Sequence, residues 1–271
     1  MKNLKKISKE IRILILNLIY KASHGHIGGS MSCVDILCAL YFGGILNFNK
    51  KNYKNKNRDR FFLSKGHATA AIYSTLCKVG MFSENLLYSY SKNNSYFATH
   101  TSKKIPGVEF DTGSLGHGLG VASGLAYSAK LKNENFHIFC LISDGELFEG
   151  SIWEALIFAS NNYLNNLTII IDNNHQIVMD KTEKNLRLEP IKSKMKSFNF
   201  NCYEIDGHNV KKIVETLNKT KISNNKKCNI VICNTVKGKG ISFMEKETRW
   251  HHAVPTKEEY LSALKELKNE K

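Results

Sequence analysis

An acid and an amide each follow an apolar run of the sequence, about thirty residues apart. Asp144 comes directly after the run FHIFCLIS, and Asn174 comes shortly after the run LTIII. Continuous apolar runs of this kind are typical of strands that are buried on both faces of a parallel sheet. Parallel strands joined by a crossover helix open at the same edge of the sheet, so Asp144 and Asn174 are predicted to converge there.

These two residues would supply hard oxygen donors at that edge. A carboxylate, an amide oxygen and a backbone carbonyl are too few to enclose a cation, but they suit Mg²⁺ or Ca²⁺ that is shared with the phosphates of a substrate or cofactor. Gly145 directly follows the acid and lets the backbone approach such a phosphate closely. The alternative is an ordinary tight turn, because Ser-Asp-Gly is a common turn sequence.

Four histidines in glycine-flanked or exposed loops are candidates for acid–base chemistry. His26 lies in HGHIGG, His67 in SKGHA, His100 in ATHTS and His251 in RWHHAVP. Two of them stand at predicted helix starts, where backbone N–H groups favour anions, and an imidazole exchanges protons near neutral pH. The alternative for each is a surface or core role. The turn TGSLGHG at 112–118 is a third glycine-rich helix start, for which close helix packing is an equal alternative.

Alternating strands and helices must position these residues. The sequence predicts strands at 136–142 and 167–172 around a helix at about 150–162, and a further helix that opens near Ser32 and ends at Gly43. This alternation indicates a doubly wound, mostly parallel α/β sheet with helices on both faces. No repeat or linker composition divides the chain, so we interpret residues 1–271 as one domain.

Composition and charge argue against several other classes of protein. The formal net charge is +15, but the lysines are scattered through Lys/Asn-rich loops without interleaved aromatics, which disfavours a nucleic-acid-binding surface. The seven cysteines contain no C-x-x-C pair and indicate reduced thiols in a cytoplasmic protein. The basic start predicts an amphipathic helix rather than a signal peptide, and no segment has the roughly 20 apolar residues of a membrane span.

Taken together, the motifs resemble a known family, the thiamine-diphosphate enzymes of the transketolase type, and specifically their amino-terminal, diphosphate-binding domain. SDGELFEG followed by DNNHQ is similar to the family's cofactor signature, a G-D-G block with a downstream Asn. The resemblance runs from about residue 8 to 256, and further blocks follow in the family's order: GHIGGSMS, FLSKGHATAA, PGVEFDTGSLGHGLGVASG, DGHN and VKGKGISFMEKETRWHH.

The resemblance implies a fold, two cofactors and the residues that hold them. The fold would be the thiamine-diphosphate-binding fold, and the cofactors would be thiamine diphosphate and Mg²⁺ or Ca²⁺. The side chains of Asp144 and Asn174 and the backbone carbonyl of Gln176 would bind the metal. The residues that would contact thiamine diphosphate, Asp144 and Asn174 among them, also include His67, Gly113, Leu115, Gly145, Glu149 and His251.

The resemblance also implies catalytic residues and some departures from the family. His26, His100 and His251 would surround the reacting carbons and hydroxyls of the sugar. Glu149 matches an acid at the interface between paired active sites. Three residues depart from the family pattern: Ser143 where Gly commonly opens the G-D-G block, His252 where Gly commonly follows the histidine, and His117 where Gln is frequent.

Family members that carry every catalytic part on one chain are more than twice this length. Their second domain supplies a glutamate that activates the cofactor, as well as Arg and His residues for the sugar phosphate. We therefore expect a split enzyme, in which this chain would be the amino-terminal subunit of a transketolase. It would move a two-carbon ketol unit between sugar phosphates together with a separate carboxy-terminal subunit, in an α2β2 heterotetramer.

Several alternatives remain open at this point. The chain could serve a related 1-deoxyxylulose-5-phosphate synthase, which joins pyruvate to glyceraldehyde phosphate, or a ketol transferase of a specialised sugar pathway. It could also be a non-catalytic remnant that binds cofactor without turnover. Intact Asp144, Asn174 and loop histidines argue against decay. A nucleic-acid-binding protein would be supported only by the scattered lysines, and neither nucleic acid nor a membrane is expected as a partner.

Overall fold

A five-stranded parallel sheet forms the centre of the fold in the computed structural model, which describes residues 2–223 and 225–269. The strand order is β1-β2-β3-β5-β4, and every neighbouring pair is parallel. The strands are β1 Arg60–Leu63, β2 Ile138–Ser143, β3 Leu167–Asn173, β4 Asn201–Asp206 and β5 Asn229–Asn234. The predicted strands at 136–142 and 167–172 are confirmed as β2 and β3, which lie side by side.

Helices cover both faces of this sheet, as predicted for a doubly wound fold. They are α1 Lys2–Ala22, α2 Ile27–Ser32, α3 Val34–Phe42, α4 Thr69–Val79, α5 Glu84–Leu87, α6 Gly118–Leu131, α7 Gly150–Asn161, α8 Thr182–Asn185, α9 Ile191–Ser197, α10 Val210–Lys221 and α11 Lys257–Asn269. Short 3₁₀ turns occupy Gly66–Ala68, Asp144–Phe148 and Thr248–His251. The helix predicted at 150–162 is α7.

The alternation of side chains along β2 divides the core into two layers. Phe139 and Leu141 pack with α1, α3, α4 and α10 on one face. Ile138, Cys140 and Ile142 pack with α6, α7 and α9 on the other. Both faces are therefore buried, which explains why the run is continuously apolar rather than alternating.

The helix predicted from near Ser32 to Gly43 is confirmed as α3, whose C-cap is Gly43. The glycine-rich stretch before it was expected to be a loop, and this was wrong: residues Ile27–Ser32 form the short helix α2, separated from α3 by a break at Cys33. Glycine disfavours helix interiors, yet Gly28 lies inside α2. A Cβ atom at Gly28 would stand 2.7 Å from the carbonyl oxygen of Trp250, so tertiary contact with the chain around Trp250 requires this glycine.

The prediction of an amphipathic first helix is confirmed by burial. Ile11, Leu14 and Leu18 of α1 are buried in the core. Among the described residues, no helix combines the length and apolar character needed to cross a membrane. All seven cysteines are present as unpaired thiols, most of them buried.

Candidate active site

A cavity of about 370 Å³ opens at the carboxyl edge of the sheet, beyond the ends of β2 and β3. All eleven of the site residues predicted from the sequence line it. The complete lining is His26, Gly29, His67, His100, Gly113, Leu115, Ser143, Asp144, Gly145, Phe148, Glu149, Asn174, Gln176, Ile177, Val178, Lys237 and His251. The structure thus brings the candidates together, while the role of each stays a prediction.

Asp144 connects the loops that follow β2 and β3. One of its oxygens accepts the backbone N–H of Gly145 at 2.9 Å, and the other accepts that of His175 at 2.6 Å. The carboxyl is almost completely buried. Burial, together with the nearby Asp172 carboxylate, raises its pKa to about 7, because water no longer stabilises the charged form.

The residues around Asp144 fit a cation that is only partly enclosed by protein. The side-chain oxygen of Asn174 accepts the Gln176 N–H at 3.1 Å, so the turn after β3 holds both residues at the cavity. The side-chain Oε1 of Gln176 is buried and has no hydrogen-bond partner among the described residues. Across the described ranges, no group of three or more His, Cys, Asp or Glu side chains is arranged to hold a metal. One carboxylate with amide and carbonyl oxygens instead suits Mg²⁺ or Ca²⁺ that also binds phosphate.

Glycines bring the backbone to the cavity wall. A Cβ atom at Gly145 would stand 3.2 Å from a methyl of Ile177, and one at Gly113 would stand 3.1 Å from the ring of His100. A third, at Gly29, would stand 3.1 Å from the ring of His67. Side chains at these positions would crowd Ile177, His100 and His67, so the glycines let the backbone pack closely against the residues that line the cavity.

Glu146 was missed by the sequence reasoning, although it orders the loops of the cavity. Its carboxylate accepts hydrogen bonds from the Ser64 hydroxyl at 2.5 Å, the Gly116 N–H at 3.0 Å and the Ser143 N–H at 2.9 Å. The Glu146 N–H donates in turn to the Ser143 hydroxyl oxygen at 3.2 Å, which completes a capping box. The S-x-x-E spacing was the signal that could have revealed it. The capping box also explains why Ser is accommodated at position 143.

Four imidazoles cluster at one end of the cavity. The ring of His26 lies 5.6 Å from that of His67, 5.5 Å from that of His251 and 6.2 Å from that of His100, measured between centroids. His67 and His251 stack at 5.5 Å. The Nδ1 atom of His26 is buried and has no hydrogen-bond partner among the described residues, so it is available to a ligand.

Burial keeps these imidazoles neutral. It lowers the pKa of His26 to about 4, with further lowering by the nearby His252 and His100 rings. Burial also lowers the pKa of His251 to about 3, with the Lys237 ammonium as the second cause. The pKa of His67 falls well below its usual value for the same reason, burial, followed by Lys65. Each ring therefore has one nitrogen that donates and one that accepts at neutral pH.

Lys237 is a second residue that the sequence reasoning missed. Its Nζ atom lies 3.0 Å from the carbonyl oxygen of Ile177, 3.5 Å from that of Gln176 and 3.0 Å from Nδ1 of His251. Donation to Nδ1 leaves the ring proton of neutral His251 on Nε2. Burial lowers the pKa of Lys237 to about 8. Its sequence signal was weak because it stands among many scattered lysines.

Beneath the cavity lies a fully buried ion pair between Lys65 and Asp172. The Lys65 ammonium also donates to the Gly29 carbonyl at 2.9 Å, and the Ser32 hydroxyl donates to Asp172 at 2.6 Å. The Thr235 hydroxyl donates to the other oxygen of Asp172. The pair therefore links the β1 loop, α2, β3 and the end of β5, and these hydrogen bonds offset the cost of burying two charges.

The fold and this cavity define the chain as a member of a thiamine-diphosphate enzyme family. Residues 3–268 match the family described as transketolase, thiamine diphosphate binding domain, so the chain belongs to that family. Its structure is similar to that of the transketolase from Campylobacter jejuni, with a TM-score of 0.92 and 30% sequence identity. That similarity covers 99% of this chain and 43% of the other.

Relatives of two lengths align with the chain. An apulose-4-phosphate transketolase subunit from Actinobacillus succinogenes is 42% identical over 270 residues, which is 98% of this chain and 96% of the relative. The protein of the same name from Phocaeicola vulgatus is 38% identical over 260 residues, 96% of this chain and 92% of the relative. Human transketolase is 32% identical over 249 residues, 92% of this chain but 39% of its own length. The chain thus matches nearly the full length of the relatives named as subunits and about two fifths of the longer transketolases.

Proposed function

We propose that this chain is the amino-terminal, diphosphate-binding subunit of a split transketolase, which transfers a two-carbon ketol unit from a ketose phosphate to an aldose phosphate. One observation carries the proposal: the eleven residues that the family pattern implies all line one cavity. The match in length to relatives that are named as transketolase subunits supports it further. All five strands belong to one sheet, which supports a single domain.

The residues of this chain would bind thiamine diphosphate and Mg²⁺ or Ca²⁺ in the glycine-lined part of the cavity. Asp144, Asn174 and the carbonyl of Gln176 would hold the metal, and Gly113, Leu115 and Gly145 would lie against the cofactor. When bound, thiamine diphosphate supplies a carbon nucleophile and an electron sink for breaking a C–C bond. Lys237 lies where its ammonium would neutralise part of the diphosphate charge.

His26, His100 and His251 would bind the sugar hydroxyls and move their protons. The neutral rings, with the free Nδ1 of His26 and the Nε2–H of His251, offer both an acceptor and a donor within one cluster. A proton taken from a substrate hydroxyl by one ring would be returned to the product by the same ring.

The rest of the active site would come from a partner chain. We propose an α2β2 heterotetramer in which the partner supplies the glutamate that activates the cofactor. Support comes from an exposed apolar face formed by α6 and α7, with Val121 at 37% exposure, Leu131 at 66%, Ile157 at 53% and Phe158 at 39%. Glu149, at the start of α7, lines the cavity, so a partner on this face would reach it.

The substrate would be a sugar with a terminal anionic group. Two relatives are named for apulose 4-phosphate, and one of 35% identity, from Clostridium sp. (strain MSTE9), is named 6-deoxy-6-sulfo-D-fructose transketolase subunit SqwG. A place in the pentose phosphate pathway and a place in a specialised sugar pathway are therefore both open to test. The unpaired thiols support a cytoplasmic enzyme.

The test is to isolate the chain from its source with thiamine diphosphate and Mg²⁺ present and to identify what accompanies it by native mass spectrometry. We expect a second chain and ketol transfer from xylulose 5-phosphate, fructose 6-phosphate or apulose 4-phosphate to an aldose phosphate. Pyruvate, offered as donor in parallel, should give no product. Recovery of this chain alone, inactive with every donor, would refute the proposal and favour a non-catalytic remnant.

A further inference from the structure

Two exposed histidines lie over the imidazole cluster but are not part of the cavity lining. The ring of His252 lies 4.6 Å from that of His26 and 4.7 Å from that of His24, both in edge-to-face arrangements. Both His24 and His252 are exposed, whereas His26 is partly buried. The two rings thus form an outer tier above the cluster that lines the cavity.

The outer tier is held by well-packed parts of the fold. His252 follows the 3₁₀ turn Thr248–His251, which the buried Trp250 anchors at 2% exposure. His24 follows α1 and precedes Gly25, whose φ of +145° lets the chain turn there. A Cβ atom at Gly25 would stand 2.9 Å from Ile19. The imidazole pair is therefore positioned by the ends of packed elements rather than by a long loop.

Successive contacts lead from the floor of the cavity to this outer tier. Lys237 contacts the Gln176 carbonyl at the proposed metal end and Nδ1 of His251. His251 neighbours His26, and His26 neighbours His252. A sugar whose reacting carbon lies among the inner histidines would extend its far end toward His24 and His252.

We infer that His24 and His252 form an outer subsite that binds the terminal oxyanion of the sugar substrate. This inference rests on the proposed ketol transfer and adds a contact from this chain to those expected from its partner. Two imidazoles can donate N–H hydrogen bonds to one tetrahedral oxyanion, and hydrogen bonds to a charged group are the stronger kind. Besides burial, the groups that lower the pKa of His26 are the imidazoles of His252, His100 and His24 and the Lys237 ammonium. Surroundings of this kind suit an anion. Phosphate and sulfonate share this chemistry.

The experiment compares donors that differ only in the terminal group. The assembled enzyme, as wild type and as the double variant His24→Ala/His252→Gly, is assayed with fructose 6-phosphate, 6-deoxy-6-sulfofructose and fructose. We expect kcat/KM for the phosphorylated donor to fall about tenfold through KM, the size expected for one hydrogen bond to a charged group. For fructose it should not change. If the fall occurs with the sulfonate alone, the subsite selects sulfonate.

Two further variants make the result decisive. His117→Gln removes another exposed imidazole, outside the cluster, and should leave every kcat/KM unchanged. The variant His24→Gln/His252→Asn keeps side-chain N–H donors and should recover part of the loss. Equal losses with all three donors would mean that the pair only orients His26, and no loss would mean no contact; either overturns the inference.

A binding measurement separates this inference from the proposed function. If the wild-type enzyme transfers no ketol unit from any donor, the proposed function fails. Calorimetric titration of the same assembled enzyme with fructose 6-phosphate then decides the subsite directly. Weaker binding to the double variant supports it, whereas equal binding, or none to the wild type, refutes it.

Discussion

Asp144 shows how a single carboxyl links structure to the proposed chemistry. It directly follows β2, accepts backbone N–H groups from both loops at the cavity, and is almost completely buried. A buried carboxylate is costly unless a cation or hydrogen bonds stabilise it. The surroundings of Asp144 therefore suit the divalent cation proposed above, which Asp144, Asn174 and the carbonyl of Gln176 would hold.

Asp144→Ala should abolish metal-dependent retention of thiamine diphosphate in the assembled enzyme. The substitution removes the only carboxylate among the three proposed metal ligands. The measurement is the thiamine diphosphate that remains bound after gel filtration in Mg²⁺, determined by fluorescence after oxidation to thiochrome. Glu215→Ala, which removes an exposed carboxylate on α10, is the control. Undiminished retention in Asp144→Ala would rule out the metal assignment.

His137 makes a pH-dependent contribution to stability that is separate from catalysis. It is buried behind β2, its Nε2 lies 2.8 Å from the Thr168 hydroxyl, and its backbone N–H donates to Asp59. Burial lowers its pKa to about 4, although Asp59 raises it and Lys221 lowers it further. In the unfolded chain the pKa is near 6.5. Unfolding therefore takes up a proton between about pH 6.5 and pH 4, and the free energy of unfolding falls as the pH is lowered through that range.

His137→Gln should flatten this acid sensitivity. The amide can keep a hydrogen bond to Thr168 but does not titrate. The loss of unfolding free energy between pH 7 and pH 5 should be smaller in the variant by about 2 kcal/mol. Urea unfolding of the wild type and the variant at pH 7 and pH 5 measures this difference. Equal losses in the wild type and the variant would show that folding does not shift the pKa of His137, and would contradict the prediction.

At the scale of elements, one buried network joins the first helix to the end of the sheet. Arg12 of α1 and Asp35 of α3 form a two-point ion pair at 3.2 and 2.6 Å. His208 also contacts Asp35 at 2.8 Å, and its other ring nitrogen accepts the Val236 N–H at 2.8 Å. Val236 directly precedes Lys237, which lines the cavity. The network therefore helps to position Lys237 through contacts that begin at Asp35 of α3.

Asp35→Ala should destabilise the chain by roughly 3–5 kcal/mol, because it removes the carboxylate that faces the buried Arg12 guanidinium and the half-buried His208 ring. The double variant Arg12→Met/Asp35→Leu replaces the pair by apolar side chains and should recover much of that loss. Free energies of unfolding in urea test both. If the double variant is as unstable as Asp35→Ala, packing at this position matters more than the buried charge.

Elements of the sheet were predictable from sequence, whereas some contacts between elements were not. Apolar runs predicted β2 and β3, because a short, continuously apolar run is typical of a strand that is buried on both faces of a sheet. The start of α2 could not be predicted, because Gly28 is required by the nearby Trp250 carbonyl rather than by helix propensity. For the same reason Lys65 was missed: a lysine is rarely buried, and only the fold brings Asp172 to it.

The residues of the candidate site were only partly predictable from the sequence. Residue types at the ends of strands indicated Asp144, Gly145 and Asn174, and loop context indicated the four histidines. The family resemblance added Gly113, Leu115, Glu149 and Gln176. Lys237 could not be singled out, since a chain with 39 Lys and Arg residues offers many equivalent candidates. Its role depends on burial and on the carbonyls it meets, which are properties of the folded chain.

At the scale of the whole molecule, the apolar face of α6 and α7 indicates where a partner would bind. These helices pack on one side of the sheet, whereas α10 packs on the other. Along the outer side of α6, Cβ atoms at Gly120 and Gly124 would meet nothing within 4 Å, so another helix could approach closely. The face begins near the cavity, at Glu149, and a partner that covers it would complete the active site.

Ile157→Glu/Phe158→Glu should prevent assembly with the partner chain while leaving this chain folded, because both side chains are exposed on α7 and charges are costly in an apolar interface. Size-exclusion chromatography with light scattering, after mixing with the partner, measures assembly, and circular dichroism reports the fold. The control is Ile222→Glu, which alters an equally apolar residue with 66% exposure at the end of α10, on the opposite side of the sheet. If assembly is lost in Ile222→Glu and kept in the double variant, the interface lies on the α10 side of the sheet instead. Ketol transfer should follow assembly in each variant, because the proposed active site needs residues from both chains.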